Sequence, residues 1–180
     1  MLAHYVVSGI CFLLDGVINF LFPAHFGFDS MYFVSSLGFC ALMLSVRKME
    51  FKDSIIIAIL FGVFYGWGYA HAYFLYVVLF VLSALVTRVW SKRINESAIE
   101  NIVLCIATLF VKEFMLYLYM RWSHLSAIDF NTWFVDRMFL TLLINGILVV
   151  ILVFISYAKD DFLKRRDVQI RREEKLPWIH

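Results

Sequence analysis

The sequence predicts an all-α, polytopic membrane protein with six transmembrane helices and both termini in the cytoplasm. Three observations carry that prediction. The chain of 180 residues is 63% hydrophobic, 18% aromatic and only 17% charged, well above the roughly 45–50% apolar usage of soluble domains. Its apolar residues fall into six long runs, and each run is continuous rather than alternating. A membrane-spanning helix takes about 20 apolar residues, whereas an outer-membrane strand alternates apolar and polar positions over about 10.

The first run covers residues 5–22 and ends at Pro23. It is read as a retained helix and not a secretion signal, because it lacks a basic leading region and a small-residue cleavage pattern, and Asp15 interrupts it. The second covers 31–46 and stops at Arg47 and Lys48; the third covers 54–70 and the fourth 73–90. Only His71 and Ala72 separate these last two, which predicts a tight helical hairpin. The fifth covers 98–120 and is closed by Arg121, and the sixth covers 138–157. Residues 1–157 therefore read as one membrane domain and 158–180 as a charged cytoplasmic tail. That tail holds seven basic and five acidic residues, a net +2, and reads as a solvated extension of the sixth helix; docking of a cytoplasmic partner is the sharper alternative.

Orientation follows from the basic residues, which accumulate on the cytoplasmic side of short connections. Thirteen of the sixteen Lys and Arg residues follow the second, fourth and sixth runs. Arg121 and Arg137 bound the loop between the fifth and sixth, and Lys112 lies inside the fifth. That loop, RWSHLSAIDFNTWFVDR, carries Trp122, Phe130, Trp133 and Phe134, residue types that favour the headgroup layer. The basic residues are explained by topology, and nothing resembles a nucleic-acid module.

Three charged residues lie deep within the runs, away from their ends: Asp15, Lys112 and Glu113. A charge at bilayer depth is costly, so such groups turn inward and find partners. With a helical rise of about 1.5 Å per residue, Asp15 lies about 15 Å from the inner end of its helix and Lys112 about 13–14 Å from the outer end of its own. Both fall near the midplane, and the matching depth predicts that Asp15 pairs with Lys112, with contact to a partner protein or a proton pathway as alternatives. Glu113 points about 100° away from Lys112 and has no basic residue one turn away, which predicts a neutral, protonated side chain bonded to a neighbouring helix. Asn145, in the sixth run, is expected to bond across helices. Gly62 and Gly66 have the spacing that lets helix backbones approach, and Gly146 repeats the theme.

Chemistry has little to work with. Cys11, Cys40 and Cys105 lie apart in apolar runs and read as small buried residues. The histidines, His4, His25, His71 and His124 among them, have no ligand spacing, so neither a metal nor another cofactor is expected. No nucleophile elbow, phosphate-binding loop or carboxylate dyad is present, and the chain is read as a non-enzyme.

The stretch FLLDG (residues 12–16), the later GVFYG (62–66) and the run RMFLTLLINGILVVILV (137–153) together resemble the rod shape-determining protein MreD family of the Gram-positive type. The resemblance follows length and helix order across essentially the whole chain. It departs at Gly66, where many relatives have an acid, and at Leu140, where proline is common, leaving Asp15 as the remaining acid. It implies a fold similar to the S components of energy-coupling-factor transporters, without vitamin uptake. It also implies a place in bacterial cell-wall elongation in the plasma membrane. There the protein would bind an MreC-like single-span partner and help place the glycan polymerase and transpeptidase that synthesise peptidoglycan. A substrate-binding S component of a vitamin transporter is the alternative. Such proteins usually show Ala-x-x-x-Ala on the first helix, which here reads YVVSGICFLLDGVINFLF.

Overall fold

The structure, a computed structural model, describes residues 2–22, 33–70, 73–92 and 97–175. Seven α-helices account for nearly all of these residues: α1 (Leu2–Leu21), α2 (Leu37–Val46), α3 (Phe51–Tyr65), α4 (Tyr73–Ser91), α5 (Ala98–Trp122), the single turn α6 (Phe130–Trp133) and α7 (Phe139–Lys175). Two π-helical segments extend them, Gly66–Ala70 after α3 and Phe134–Met138 between α6 and α7. No strand occurs among the described residues. Four helical segments are long and apolar enough to cross a membrane, Phe51–Gly68, Phe74–Ser91, Ala98–Trp122 and Phe130–Arg166, while Tyr5–Leu21 and Leu37–Val46 are shorter apolar helices. The connection before residue 33, the hairpin turn at His71 and Ala72, His25 and the last five residues of the tail lie outside the described residues.

The second predicted run departs most from expectation. A helix over 31–46 was expected, but residues 33–36 are non-helical and α2 begins only at Leu37. Ser35 and Ser36 explain the break locally, because serine side chains compete for backbone groups and weaken a helix interior. Ten residues give α2 a length of about 15 Å, half the thickness of the hydrocarbon core.

This short helix is the centre of the molecule. Every residue from Gly38 to Val46 is buried, and α1, α3, α4, α5 and α7 all pack against it. A helix apolar on every side can be buried on every side, which is what the sequence GFCALMLSV provides. Phe39 meets Phe80 of α4 edge-on, with ring centres 5.2 Å apart. The three thiols lie buried around this core on α1, α2 and α5, and all are free.

Helix approach is closest at two glycines. A Cβ on Gly62 would lie 2.7 Å from the Val77 Cα, which sets the α3–α4 hairpin. A Cβ on Gly38 would lie 2.8 Å from the Phe12 Cα, so α1 lies directly on the first turn of α2. Gly66 is buried where α3 passes into its π-helical segment. Gly146 is different: its nearest neighbour would be the Ile106 Cδ1 at 4.0 Å, so it leaves space rather than mediating close packing.

At its other end α2 is fastened to three helices. Arg47 donates to Asn101 of α5, whose amide donates to the Tyr157 hydroxyl of α7 at 3.2 Å. Lys48 pairs with Asp160 of α7. Arg88 of α4 donates to the Met49 carbonyl at 2.6 Å and to the Ser54 hydroxyl at 2.9 Å. Helix α5 starts with a capping box: Ser97 accepts from the Glu100 amide at 3.2 Å while Glu100 accepts from the Ser97 amide. Helix α7 runs unbroken from 139 to 175, across the boundary at 157 between predicted membrane domain and tail.

Candidate functional site: a polar lock at the start of α2

A non-helical stretch at membrane depth is tolerated only where protein groups satisfy its backbone. The backbone of residues 34–38 is bonded by side chains from α1 and α7, and α5 adds a contact to the Ser36 hydroxyl. Asp15 of α1 accepts from the Ser35 hydroxyl at 2.5 Å, the Leu37 amide at 2.7 Å and the Gly38 amide at 2.7 Å. Two of these donors are the first free amides of α2, where the helix dipole also favours a negative charge. Asp15 is therefore a cap supplied by a different helix. The residue at the cap position, Ser36, makes no side-chain cap hydrogen bond of its own; its hydroxyl instead accepts from Lys112 Nζ at 2.8 Å.

Asn19 stands one turn after Asp15 and extends its reach. Its Oδ1 accepts from the Ser35 amide at 2.8 Å, and its Nδ2 donates to the Ser35 carbonyl at 3.4 Å. From the opposite side, Asn145 of α7 accepts from the Ser36 amide at 2.9 Å and donates to the carbonyls of Val34 and Thr141, each at 2.8 Å. Thr141, one turn before it, accepts from the Val34 amide at 3.3 Å. The non-helical segment before α2 is thus held by two Asx side chains from α1 and by Thr141 and Asn145 from α7.

Asp15 and Lys112 share a neighbourhood but form no ion pair. Their depths match, but residues 35–38 lie between them: the start of α2 offers Asp15 three donors, and Lys112 bonds to Ser36 instead. Lys112 pairs with Glu113 at 3.0 Å, and Arg137 pairs with the other oxygen of Glu113 at 2.9 Å. Glu113 is therefore a charged bridge between two cations, and the expectation of a neutral side chain is corrected. Neighbouring helical positions diverge by about 100°, yet the flexible lysine stem spans that angle. The second cation comes from the π-helical segment Phe134–Met138, whose wider turn sets Arg137 against Glu113, although the sequence assigned Arg137 to the outer loop.

The centre of the lock is sealed, while Asn19 and Arg137 at its edges are half-buried. Asp15, Lys112, Glu113 and Asn145 are each no more than 1% exposed. Lys112 Nζ also lies 5.1 Å from the Phe39 ring centre and 5.6 Å from that of Tyr65, distances at which an aromatic face attracts a cation. Two buried acids and two basic groups balance within the lock, which lowers the cost of placing them at depth. Tyr117 stacks on Trp133 with ring centres 4.7 Å apart, so Trp133 packs inward while Trp122 stays exposed.

Sequence reading did not single out Ser35, Ser36, Gly38, Asn19, Thr141 or Arg137. A usable signal was present: Asp15 and Asn19 share one helix face, as do Thr141 and Asn145, and a polar pair at that spacing marks a stripe with a polar counterpart. No group of three or more metal-ligating side chains gathers among the described residues.

Fold and site together define a helical protein with four membrane-spanning candidates, packed around a short central helix whose start is capped from other helices. Comparison with family models, curated proteins and solved structures finds no match to the chain.

Proposed function

We propose that the chain is a non-enzymatic membrane component of the bacterial cell-wall elongation machinery. In this reading it lies in the plasma membrane with both termini in the cytoplasm and binds an MreC-like single-span partner. It thereby helps to place the glycan polymerase and transpeptidase, and contributes to cell shape. Two lines support the proposal. The first is the resemblance of FLLDG, GVFYG and the 137–153 run to the MreD family. The second, and the observation that carries it, is the disposition of the buried polar groups: Asp15 of α1, Lys112 of α5 and Asn145 of α7 all bond to the start of α2, while Glu113 pairs with Lys112 and Arg137.

Polar groups arranged in that way hold a bundle together and leave apolar helix faces for contact. On α1, the face away from Asp15 carries Val6, Ile10, Leu13, Val17 and Phe20, all exposed. In the membrane, helices associate through close packing of such faces.

The test is a site-specific crosslinking scan in cells along α1, α3 and α7. The proposal expects one helix face to trap a single-span membrane protein, and depletion of the chain to round the cells. If no position traps such a protein while the purified chain retains a vitamin, the transporter class replaces this one.

A further inference from the structure

Ser36 occupies the cap position of α2 and does not cap it. A serine there ordinarily turns its oxygen back to the second or third amide of its own helix, which here are those of Gly38 and Phe39. Instead the hydroxyl is turned to α5, where it accepts from Lys112 Nζ at 2.8 Å. Its backbone, at φ −137° and ψ 34°, also lies outside the extended region usual for a capping residue. The Gly38 amide is left to Asp15 of α1, so the first turn of α2 depends on a second helix.

Lys112 maintains this arrangement. Its ammonium is divided between Ser36 and Glu113 Oε1, at 2.8 and 3.0 Å, and Glu113 turns its other oxygen to Arg137 at 2.9 Å. Arg137 is the member of this chain that reaches the edge: its side chain is 16% exposed, against 1% for Glu113 and for Lys112. It belongs to the π-helical segment Phe134–Met138, between α6 and α7.

We propose that Lys112 gates an exchange of caps at the start of α2, set by Arg137. With Arg137 on Glu113, Lys112 holds the Ser36 hydroxyl away from its own helix and Asp15 caps α2. When movement of its segment draws Arg137 off, both oxygens of Glu113 attract Lys112, the ammonium leaves Ser36, and Ser36 turns back to cap α2 itself. Glu113 and Lys112 still balance in charge, so the interior tolerates the second state. The two caps serve the same end of α2, which makes the states alternatives, and the coupling between Arg137 and Asp15 is reciprocal. In the second state α2 keeps its first turn, while α1, fastened to this end through Asp15 and Asn19, is held less firmly. This inference does not depend on the proposed role in wall synthesis.

The experiment is residue-resolved amide exchange by NMR on the isotope-labelled full chain in detergent. Asp15→Ala should accelerate Leu37 and Gly38 together. In the double variant Asp15→Ala, Lys112→Met, which keeps the apolar stem of the lysine, Leu37 should stay fast, because a serine cap does not reach the first amide. Gly38 or Phe39 should exchange at least about fivefold more slowly than in Asp15→Ala, the weight of one helix cap. Adding Ser36→Ala should cancel that recovery, and Arg137→Gln in place of Lys112→Met should produce a recovery in the same direction. Protection of the α5 amides reports a retained fold in each variant, and if Asp15→Ala does not fold the series is read on Asp15→Asn. Fast exchange at both Gly38 and Phe39 in the double variant, or a recovery that survives Ser36→Ala, would overturn the exchange of caps. No recovery with Arg137→Gln would overturn its control by Arg137.

Discussion

The carboxylate of Asp15 lies 2.7 Å from the backbone nitrogen of Gly38, and that contact joins the helix carrying the only acid of the first run to the start of the buried central helix. A charge that looked like an anomaly in an apolar segment is the cap of a half-length helix. Removing it strands three buried donors at once. Asp15→Ala should destabilise the protein by about 3 kcal/mol or more, because an unsatisfied buried donor costs about 1–3 kcal/mol. Asp15→Asn, which keeps one acceptor oxygen, should cost less. Thermal melting in detergent reads both.

Glycine substitutions test the packing that this contact requires. Gly38→Ala places a methyl 2.8 Å from the Phe12 Cα, and Gly62→Ala places one 2.7 Å from the Val77 Cα; backbone cannot yield as a side chain does. Each should cost about 1–3 kcal/mol as overpacking. Gly146→Ala and Gly9→Ala meet nothing closer than 4.0 Å and should be neutral or slightly stabilising, since alanine favours helix over glycine by about 1 kcal/mol. The contrast within one set of melting curves is diagnostic.

Glu113 should behave as the shared partner of two cations. Glu113→Gln removes the carboxylate that Lys112 shares with Arg137 and leaves the sealed Lys112 without its ion pair, a loss of about 3–5 kcal/mol for breaking a buried pair. A double-mutant cycle of Glu113→Gln with Arg137→Gln should give a coupling of about 1–3 kcal/mol. The Asp15→Ala and Lys112→Ala cycle should give a smaller coupling, because those residues meet only through Ser35 and Ser36. A larger coupling for Asp15 and Lys112 than for Glu113 and Arg137 would restore the direct pair.

Asn145 and Thr141 should act together. Both hold Val34, Asn145 by its carbonyl and Thr141 by its amide, so Asn145→Leu should expose a buried amide and carbonyl and cost about 2–4 kcal/mol. Thr141→Val should cost about 1 kcal/mol, the scale of a single hydrogen bond. Combined, the two changes should be non-additive in the melting temperature.

These residues also mark the limit of what the sequence made legible. Apolar runs located the helices from 51 onward, because continuous hydrophobicity is a property of the run itself. The non-helical stretch 33–36 was not legible, since Ser35 and Ser36 are compatible with a helix and the side chains that bond it lie 16 to 111 positions away in sequence. Asp15, Lys112, Glu113 and Asn145 stood out individually because polar groups in apolar runs are costly. Their partners did not, because depth along separate helices gives a level and no direction. Arg137 entered the interior through a π-helical turn, which no local periodicity announced. Gly62 was found by its spacing to Gly66; Gly38, with Val34 and Leu42 at four positions on either side, was not.

Amide hydrogen exchange at Leu37 and Gly38 tests the cap most directly. In the wild-type protein both amides should exchange slowly, and Asp15→Ala should accelerate those two selectively while the amides of α5 keep their protection. Unchanged exchange at Leu37 and Gly38 in Asp15→Ala, or the same acceleration produced by Lys112→Ala alone, would contradict the account of Asp15 as the cap that fixes the central helix.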